Sequence, residues 1–332
     1  MTLGHTLITA VLLAPLAVLH AAEKAALPVS AANAPAKPAT VPLPQATRQN
    51  VAYGTDKMQV LNFWKAASDQ PTPLVFHIHG GAWRGAGRMS GLGPTLLPDL
   101  LKAGISVVSI EYRFTTAAQA AGVKPPVKWP LEDAARALQF VRSKAVEWNI
   151  DKARIGLSGV SAGACSALWL AFHPDLADPK SSDPIAHEST RPWCVAVADA
   201  QTTLDPQQMK EWTQNSFYGG HAFGFTADKA NSITEFQAFL QGREQILPWI
   251  AEYSPYALVS AGAAPIYLHY EAPPALGKKE KDPTHTANFG VKLQERCRSV
   301  GVDCDVVYPG APVVKHATTQ AYLIEKLTAP AK

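Results

Sequence analysis

The chain is poor in several features that would point to a small, tethered or nucleic-acid-binding protein. Only four of its 332 residues are cysteine and 17% are charged. No run of lysine or arginine stands out against a net charge of +3, so there is no electrostatic footprint for nucleic acid. No CxxC or paired-histidine spacing accompanies Cys165, Cys194, Cys297 and Cys304, which excludes the common zinc patterns. Beyond residue 19 no apolar stretch approaches the roughly 20 residues needed to span a bilayer. No propeller-type repeat recurs along the chain. What is present is 47% hydrophobic residues, enough to bury a sizeable core in one large α/β domain with appendages.

Leu3 to Leu19 is apolar and is followed by His20-Ala21-Ala22. It reads as a signal peptide over residues 1–22, cleaved near Ala21 or Ala22, which implies a secreted or periplasmic protein. The n-region lacks lysine and arginine, so an N-terminal membrane anchor is the rival reading. Residues 23–47 are rich in alanine and proline. Proline at this density denies the chain helix and sheet bonds, so this is an extended linker.

From residue 48 to 328, strand-like and helix-like patterns alternate. An opening antiparallel pair is expected at 51–54 and 59–64. Apolar strands follow at 74–79, 106–112, 154–159, 194–200, 265–270 and 304–308. Leu131, Ala135, Leu138, Val141, Ala145 and Trp148 recur at three- and four-residue spacing, as on a helix packing one face against a sheet. A second helix is expected over 284–299. Repeated β-α units with near-continuous apolar strands imply a mostly parallel central sheet flanked by helices. Residues 201–255 show no clear strand and are dense in aromatics, a cap-like helical insertion whose side chains line a pocket.

Gly159-Val160-Ser161-Ala162-Gly163 follows one of the apolar strands. Glycines two before and two after the serine allow a strand-to-helix turn too tight for side chains there. Such a turn presents the Ser161 hydroxyl as a nucleophile; the plainer reading is a helix N-cap. Ser158 lacks the flanking pattern and reads as a strand-end residue. Upstream, His79-Gly80-Gly81-Ala82-Trp83 ends another strand. Its glycines let backbone amides approach a substrate carbonyl, so Gly80, Gly81 and Ala82, with Ala162 after the serine, are the candidate oxyanion hole.

Together these segments resemble the α/β-hydrolase fold family, in the esterase and lipase branch with a His-Gly-Gly motif. Glu111-Tyr112-Arg113 resembles its Asp-Tyr-Arg, Pro130-Leu131-Glu132-Asp133 its Pro-x-x-x-Asp helix start, and Tyr308-Pro309-Gly310 the segment before its histidine. The likeness runs through most of residues 50–327. It implies serine hydrolysis of carboxylic esters with no metal or organic cofactor, the substrates being small-molecule or carbohydrate esters. Secreted members acting on acetylated or feruloylated plant polysaccharides look nearest. The family order of serine, acid and histidine points to His316 as base, the only histidine after the last strand; His285, which also reads as a surface residue at a helix start, is its rival. The acid is expected to be Asp282, then Glu271, then Asp199, although Asp282 also reads as an N-cap near Thr284. His316 stands farther beyond Pro309-Gly310 than the family pattern has it, and no aspartate follows the seventh strand at the usual offset. Those departures keep open an inactive hydrolase-fold binding protein, beside a peptidase or amidase on the same fold. In an oxidising compartment Cys297 and Cys304 could be bridged, with a Cys165–Cys194 bridge as a further possibility.

Overall fold

The computed structural model describes residues 43–329. The apolar leader and most of the Ala/Pro-rich stretch lie outside the described residues. The end of that stretch is already tied to the domain. Trp64 Nε1 donates to Pro44 O at 2.8 Å, and Lys65 N donates to Thr47 Oγ1 at 2.9 Å.

Eight strands form one sheet: β1 (Arg48–Ala52), β2 (Val60–Trp64), β3 (Thr72–Ile78), β4 (Ser106–Ile110), β5 (Ile150–Val160), β6 (Cys194–Ala198), β7 (Ile266–His269) and β8 (Cys304–Val307). Their order is β1-β2-β4-β3-β5-β6-β7-β8. β1 and β2 pair antiparallel, as do β2 and β4, and every other pairing is parallel. β3 and β4 are buried along their whole length, as parallel strands covered on both faces must be, and their largely apolar sequences reflect it, with Thr72, His77, Ser106 and Ser109 as buried polar exceptions. This is the α/β-hydrolase fold.

Alternate residues separate two cores. Leu74, Phe76 and Ile78 face a core that holds the helix Ala162–Phe172, while Val75 faces the core under Leu96–Lys102 and Thr319–Thr328. The helix Ala162–Phe172 is buried at every position, so packing on all sides holds it in place. Each of its large apolar side chains contributes roughly 1.5–3 kcal/mol by burial. The helix expected through Trp148 is interrupted at Lys144, giving Lys128–Ser143 and then Ala145–Trp148, which Asn149 ends in the left-handed conformation. Residues 201–255 carry the short helices Pro206–Trp212, Glu235–Gln241 and Leu247–Tyr253, the second opened by a Thr234–Gln237 capping box.

All four cysteines are free and buried, so neither bridge is formed. Interaction with Cys297 and burial together push the Cys304 thiol well above its usual range. Cys165 and Cys194 belong to the cores on opposite faces of the sheet and cannot meet. No helix among the described residues is long and apolar enough to cross a membrane.

Candidate active site

β5 ends at Val160 and the chain turns directly into the helix Ala162–Phe172, with Ser161 at the corner. Ser161 has φ 55° and ψ −121°, a conformation costly for any residue with a side chain and common where function requires it. The neighbouring glycines explain why the turn closes. A Cβ on Gly159 would lie 2.6 Å from the carbonyl carbon of Gly163, and one on Gly163 would lie 2.1 Å from Ile78 O. The Ser161 amide donates to Ala198 O at 3.1 Å, pinning the corner to the end of β6.

Ser161 Oγ lies 3.0 Å from His285 Nε2, and His285 Nδ1 lies 2.8 Å from Asp282 Oδ2. An ionised carboxylate only accepts, so Nδ1 carries the ring proton and Nε2 is free to accept from Ser161. Asp282 Oδ1 also accepts the amides of Thr284 at 3.1 Å and His285 at 3.3 Å. Burial tends to raise the Asp282 pKa. Its bond to His285, the histidine's charge and the two amides outweigh that, holding the carboxyl below its usual range.

Asp282 and Ser161 are therefore brought together as expected of them, but through His285. His316 does not stand at Ser161. Its Nε2 lies 2.7 Å from Glu325 Oε2, its carbonyl accepts the Tyr267 hydroxyl at 3.0 Å, and its ring packs edge-on to Tyr322. Tyr267 and Tyr322 belong to the core on the other face of the sheet from the helix Ala162–Phe172, which takes His316 away from the corner. Glu271 is exposed and lies 3.9 Å from His269, not against His285. The helix expected to begin at 284 starts instead at Asn288, leaving Thr284 to Ala287 as the loop that carries the histidine.

The segment before that loop is held by the insertion. Asn215 and Glu280 exchange hydrogen bonds at 2.9 Å, Gln214 N donates to Lys278 O, and Gly277 N donates to Trp212 O. Buried Asn288 adds bonds from its Nδ2 to Trp212 O at 2.9 Å and Thr213 Oγ1 at 3.0 Å. These partners are far apart in sequence, and no local signal announced them.

The His79-Gly80-Gly81-Ala82-Trp83 loop lies against the corner: a Cβ on Gly80 would be 2.8 Å from Val160 O. Gly81, Ala82 and Trp83 all have positive φ. The Tyr112 hydroxyl donates to His79 O or Gly80 O, at 2.8 and 2.9 Å, and its ring stacks on His79. His79 Nε2 donates to Glu111 Oε1 at 2.8 Å, and Trp83 Nε1 donates to Ser166 Oγ at 2.9 Å. The loop is thus braced from the segment just after β4 and bolted to the helix after Ser161. Ala162 is the first residue of that helix, so its amide has no intrahelical acceptor. Among the described residues the amides of Gly81, Ala82 and Ala162 have no backbone acceptor outside regular elements.

A family model, BD-FAE, matches residues 62–272, more than half of the chain. The chain belongs to the BD-FAE family. This is a family of α/β-hydrolase esterases. The match takes in the His79–Trp83 loop and Ser161 but ends before Asp282 and His285, which the structure brings to the same corner. The BD-FAE chain is 29% identical over 133 residues to "Gut esterase 1" of Caenorhabditis elegans, across 39% of this chain and 24% of that protein; it spans about a quarter of that relative's length. In fold it is similar to a truncated carbohydrate esterase from gut microbiota, at 18% identity and TM-score 0.61 over 85% of this chain and 96% of that one. It is also similar to Thermogutta terrifontis esterase 2 phosphonylated by sarin, at 19% identity and TM-score 0.59 over 81% and 84%. No group of three or more His, Cys, Asp or Glu residues able to hold a metal occurs among the described residues.

Proposed function

We propose that this BD-FAE member is an exported serine esterase that cleaves carboxylic esters, those of acylated carbohydrates in particular, through an acyl-enzyme on Ser161. The observation that carries the reading is the continuous relay from Ser161 Oγ to His285 to Asp282, at 3.0 and 2.8 Å.

His285 Nε2 takes the hydroxyl proton as Ser161 Oγ attacks the ester carbonyl. The developing oxyanion is met by the amide of Ala162 and by those of Gly81 and Ala82, which the Glu111–His79–Tyr112 brace holds against the turn. The imidazolium returns its proton to the leaving alcohol. Water, deprotonated by the same ring, then attacks the acyl group, and the acid leaves with Ser161 restored. Asp282 fixes the ring tautomer and stabilises its charged form. His316 takes no part.

Carbohydrate esters are favoured by the cleft that opens beside Ala82. It has a volume of ≈ 670 Å³, and its lining includes Arg84, Lys210, Gln214, Glu235 and the exposed ring of Phe217. Polar side chains and an aromatic face suit a polyhydroxyl alcohol better than a lipid chain. The chain's likeness to a carbohydrate esterase in fold supports the same choice.

The test is hydrolysis of p-nitrophenyl acetate and of an acetylated xylo-oligosaccharide by the purified chain and by Ser161→Ala, with mass-spectrometric mapping after a serine-directed phosphonate. Activity lost in Ser161→Ala and a label on Ser161 support the reading. An inactive, unlabelled wild-type chain overturns it, leaving a hydrolase-fold binding protein. Export rests on the leader at residues 1–22; N-terminal sequencing of the protein recovered outside the cytoplasm checks for cleavage near Ala21 or Ala22.

A further inference from the structure

Two polar atoms of the cleft beside Ala82 are left unpaired by the protein. His221 and Tyr218 both line the cleft and are only 4% and 9% exposed. Among the described residues, His221 Nε2 and the Tyr218 hydroxyl are buried without a hydrogen-bond partner. Such a group is costly to keep, and its presence calls for a reason. The rest of the His221 ring is well anchored. Glu235 Oε1 accepts the His221 amide at 2.8 Å and lies 3.2 Å from Nδ1. An ionised Glu235 therefore takes the Nδ1 hydrogen bond and leaves a lone pair on Nε2. Arg84 lies 3.6 Å from the other Glu235 oxygen and offsets its charge. The Tyr218 ring meets His221 edge to face at 5.0 Å. Both rings lie beside Trp83, at 6.4 and 6.2 Å between centroids, which puts the pair next to the loop that faces Ser161.

The pair offers an acceptor at His221 Nε2 and a donor at Tyr218. An anion would be repelled by the Nε2 lone pair and by Glu235, while Arg84 and His221 already engage Glu235 against a cation. A neutral hydroxyl, which both donates and accepts, matches the pair. Both atoms are already stripped of water, so a hydroxyl that reaches them gains its bonds with little further desolvation of the protein. We propose that His221 and Tyr218 form a hydroxyl-binding subsite of this cleft, taking a free hydroxyl of the sugar whose ester is cleaved at Ser161. This rests on the carbohydrate-ester reading given above and assigns the residues that would recognise the sugar.

Tyr218→Phe removes only the hydroxyl, and His221→Asn removes Nε2 while keeping a donor near the place of Nδ1 for Glu235. Kinetics are measured for the wild type and both variants on p-nitrophenyl acetate, on an acetylated methyl xyloside and on its monodeoxy analogues. On the xyloside, kcat/KM of each variant should fall about tenfold, mainly through KM. On p-nitrophenyl acetate, whose alcohol carries no further hydroxyl, it should stay within about twofold. In the wild type at least one monodeoxy analogue should be poorer by about tenfold, and the variants should lose that discrimination. Tyr218→Phe should melt no lower than the wild type, because the hydroxyl it removes has no partner to lose. Equal losses on both esters, or unchanged kinetics on the xyloside, overturn the proposal while ester hydrolysis at Ser161 stands. A wild-type chain that cleaves p-nitrophenyl acetate but no acetylated sugar overturns the carbohydrate reading with it. A chain with no Ser161-dependent activity overturns the site reading as well.

Discussion

Ser161 and His285 meet at 3.0 Å, yet the regions that present them are built in opposite ways. The serine corner is a scaffold feature: a fully buried helix follows it, and two glycines pack against backbone at distances that admit no side chain. The histidine stands on a loop whose acid is three residues away and largely exposed. That loop buries Thr284, Thr286 and Ala287 and is tied on both sides by hydrogen bonds to the insertion. Strain at the corner is over-determined by packing. Placement of the histidine adds long-range polar contacts to that packing. The proposed relay would thus join one partner that resists perturbation until the fold fails to one whose polar ties can be cut while the fold stands.

Removing the histidine itself should have the largest effect. His285→Ala is expected to lower kcat/KM on p-nitrophenyl acetate by on the order of 10⁴-fold or more, because members of a serine relay act as a unit. His316→Ala should stay within about threefold and appear mainly as a lower melting temperature, since it vacates a buried site against Tyr322. A large kinetic loss in His316→Ala with His285→Ala still active would return the base to the position after β8.

Breaking the corner should instead cost the fold. Gly163→Ala places a methyl 2.1 Å from Ile78 O and 2.5 Å from His79 O, both backbone atoms that cannot step aside. The expected destabilisation exceeds about 4 kcal/mol, read as a collapse in soluble yield or in the urea midpoint. A soluble variant with an unchanged midpoint would show that the corner is looser than its contacts imply.

Acid should also find the scaffold side. His77 lies in β3 with Nε2 3.0 Å from Ser90 O. Burial, slightly reinforced by His79, lowers its pKa from 6.5 to about 4, against the opposing bond to Ser90. Between those values the unfolded chain binds a proton that the folded chain does not. The stability due to neutral, buried His77 is thus complete above about pH 6.5 and is lost as pH falls toward about 4. The loss is on the order of 3 kcal/mol. Urea unfolding at pH 7 and pH 4.5 checks it, and His77→Gln should flatten the difference.

The two regions also differed in how legible they were. The corner and the His79–Trp83 loop announce themselves locally, because glycines at fixed offsets from Ser161 and after His79 are what a tight turn and a close backbone approach require. The strands were legible because near-continuous apolar runs suit a sheet covered on both faces. The histidine was not. Chain order drew attention past β8 to His316, while Asp282-Pro283-Thr284-His285 already carried the signal, an acid and an imidazole three residues apart. What no local pattern contains is the set of long-range polar ties, Gln201 to Thr284 and Asn288 to Trp212, that brings His285 to the serine.

Those ties give the smallest and most discriminating test. Asn288 is fully buried, donates to Trp212 O and Thr213 Oγ1, and accepts the Ala275 amide at 2.7 Å. Asn288→Ala leaves these groups without their partner, at a cost of about 1–3 kcal/mol. If the insertion positions the loop, kcat should fall further than this stability loss explains at a temperature where the variant is fully folded. Phosphonate labelling of Ser161 should slow in proportion, because the serine stays in place but loses its base. Asn215→Ala, which breaks the exchange with Glu280 farther along the same segment, should act in the same direction and more weakly. Kinetics unchanged in both variants would mean that the Asp282–His285 loop holds its own shape and that the insertion only covers it.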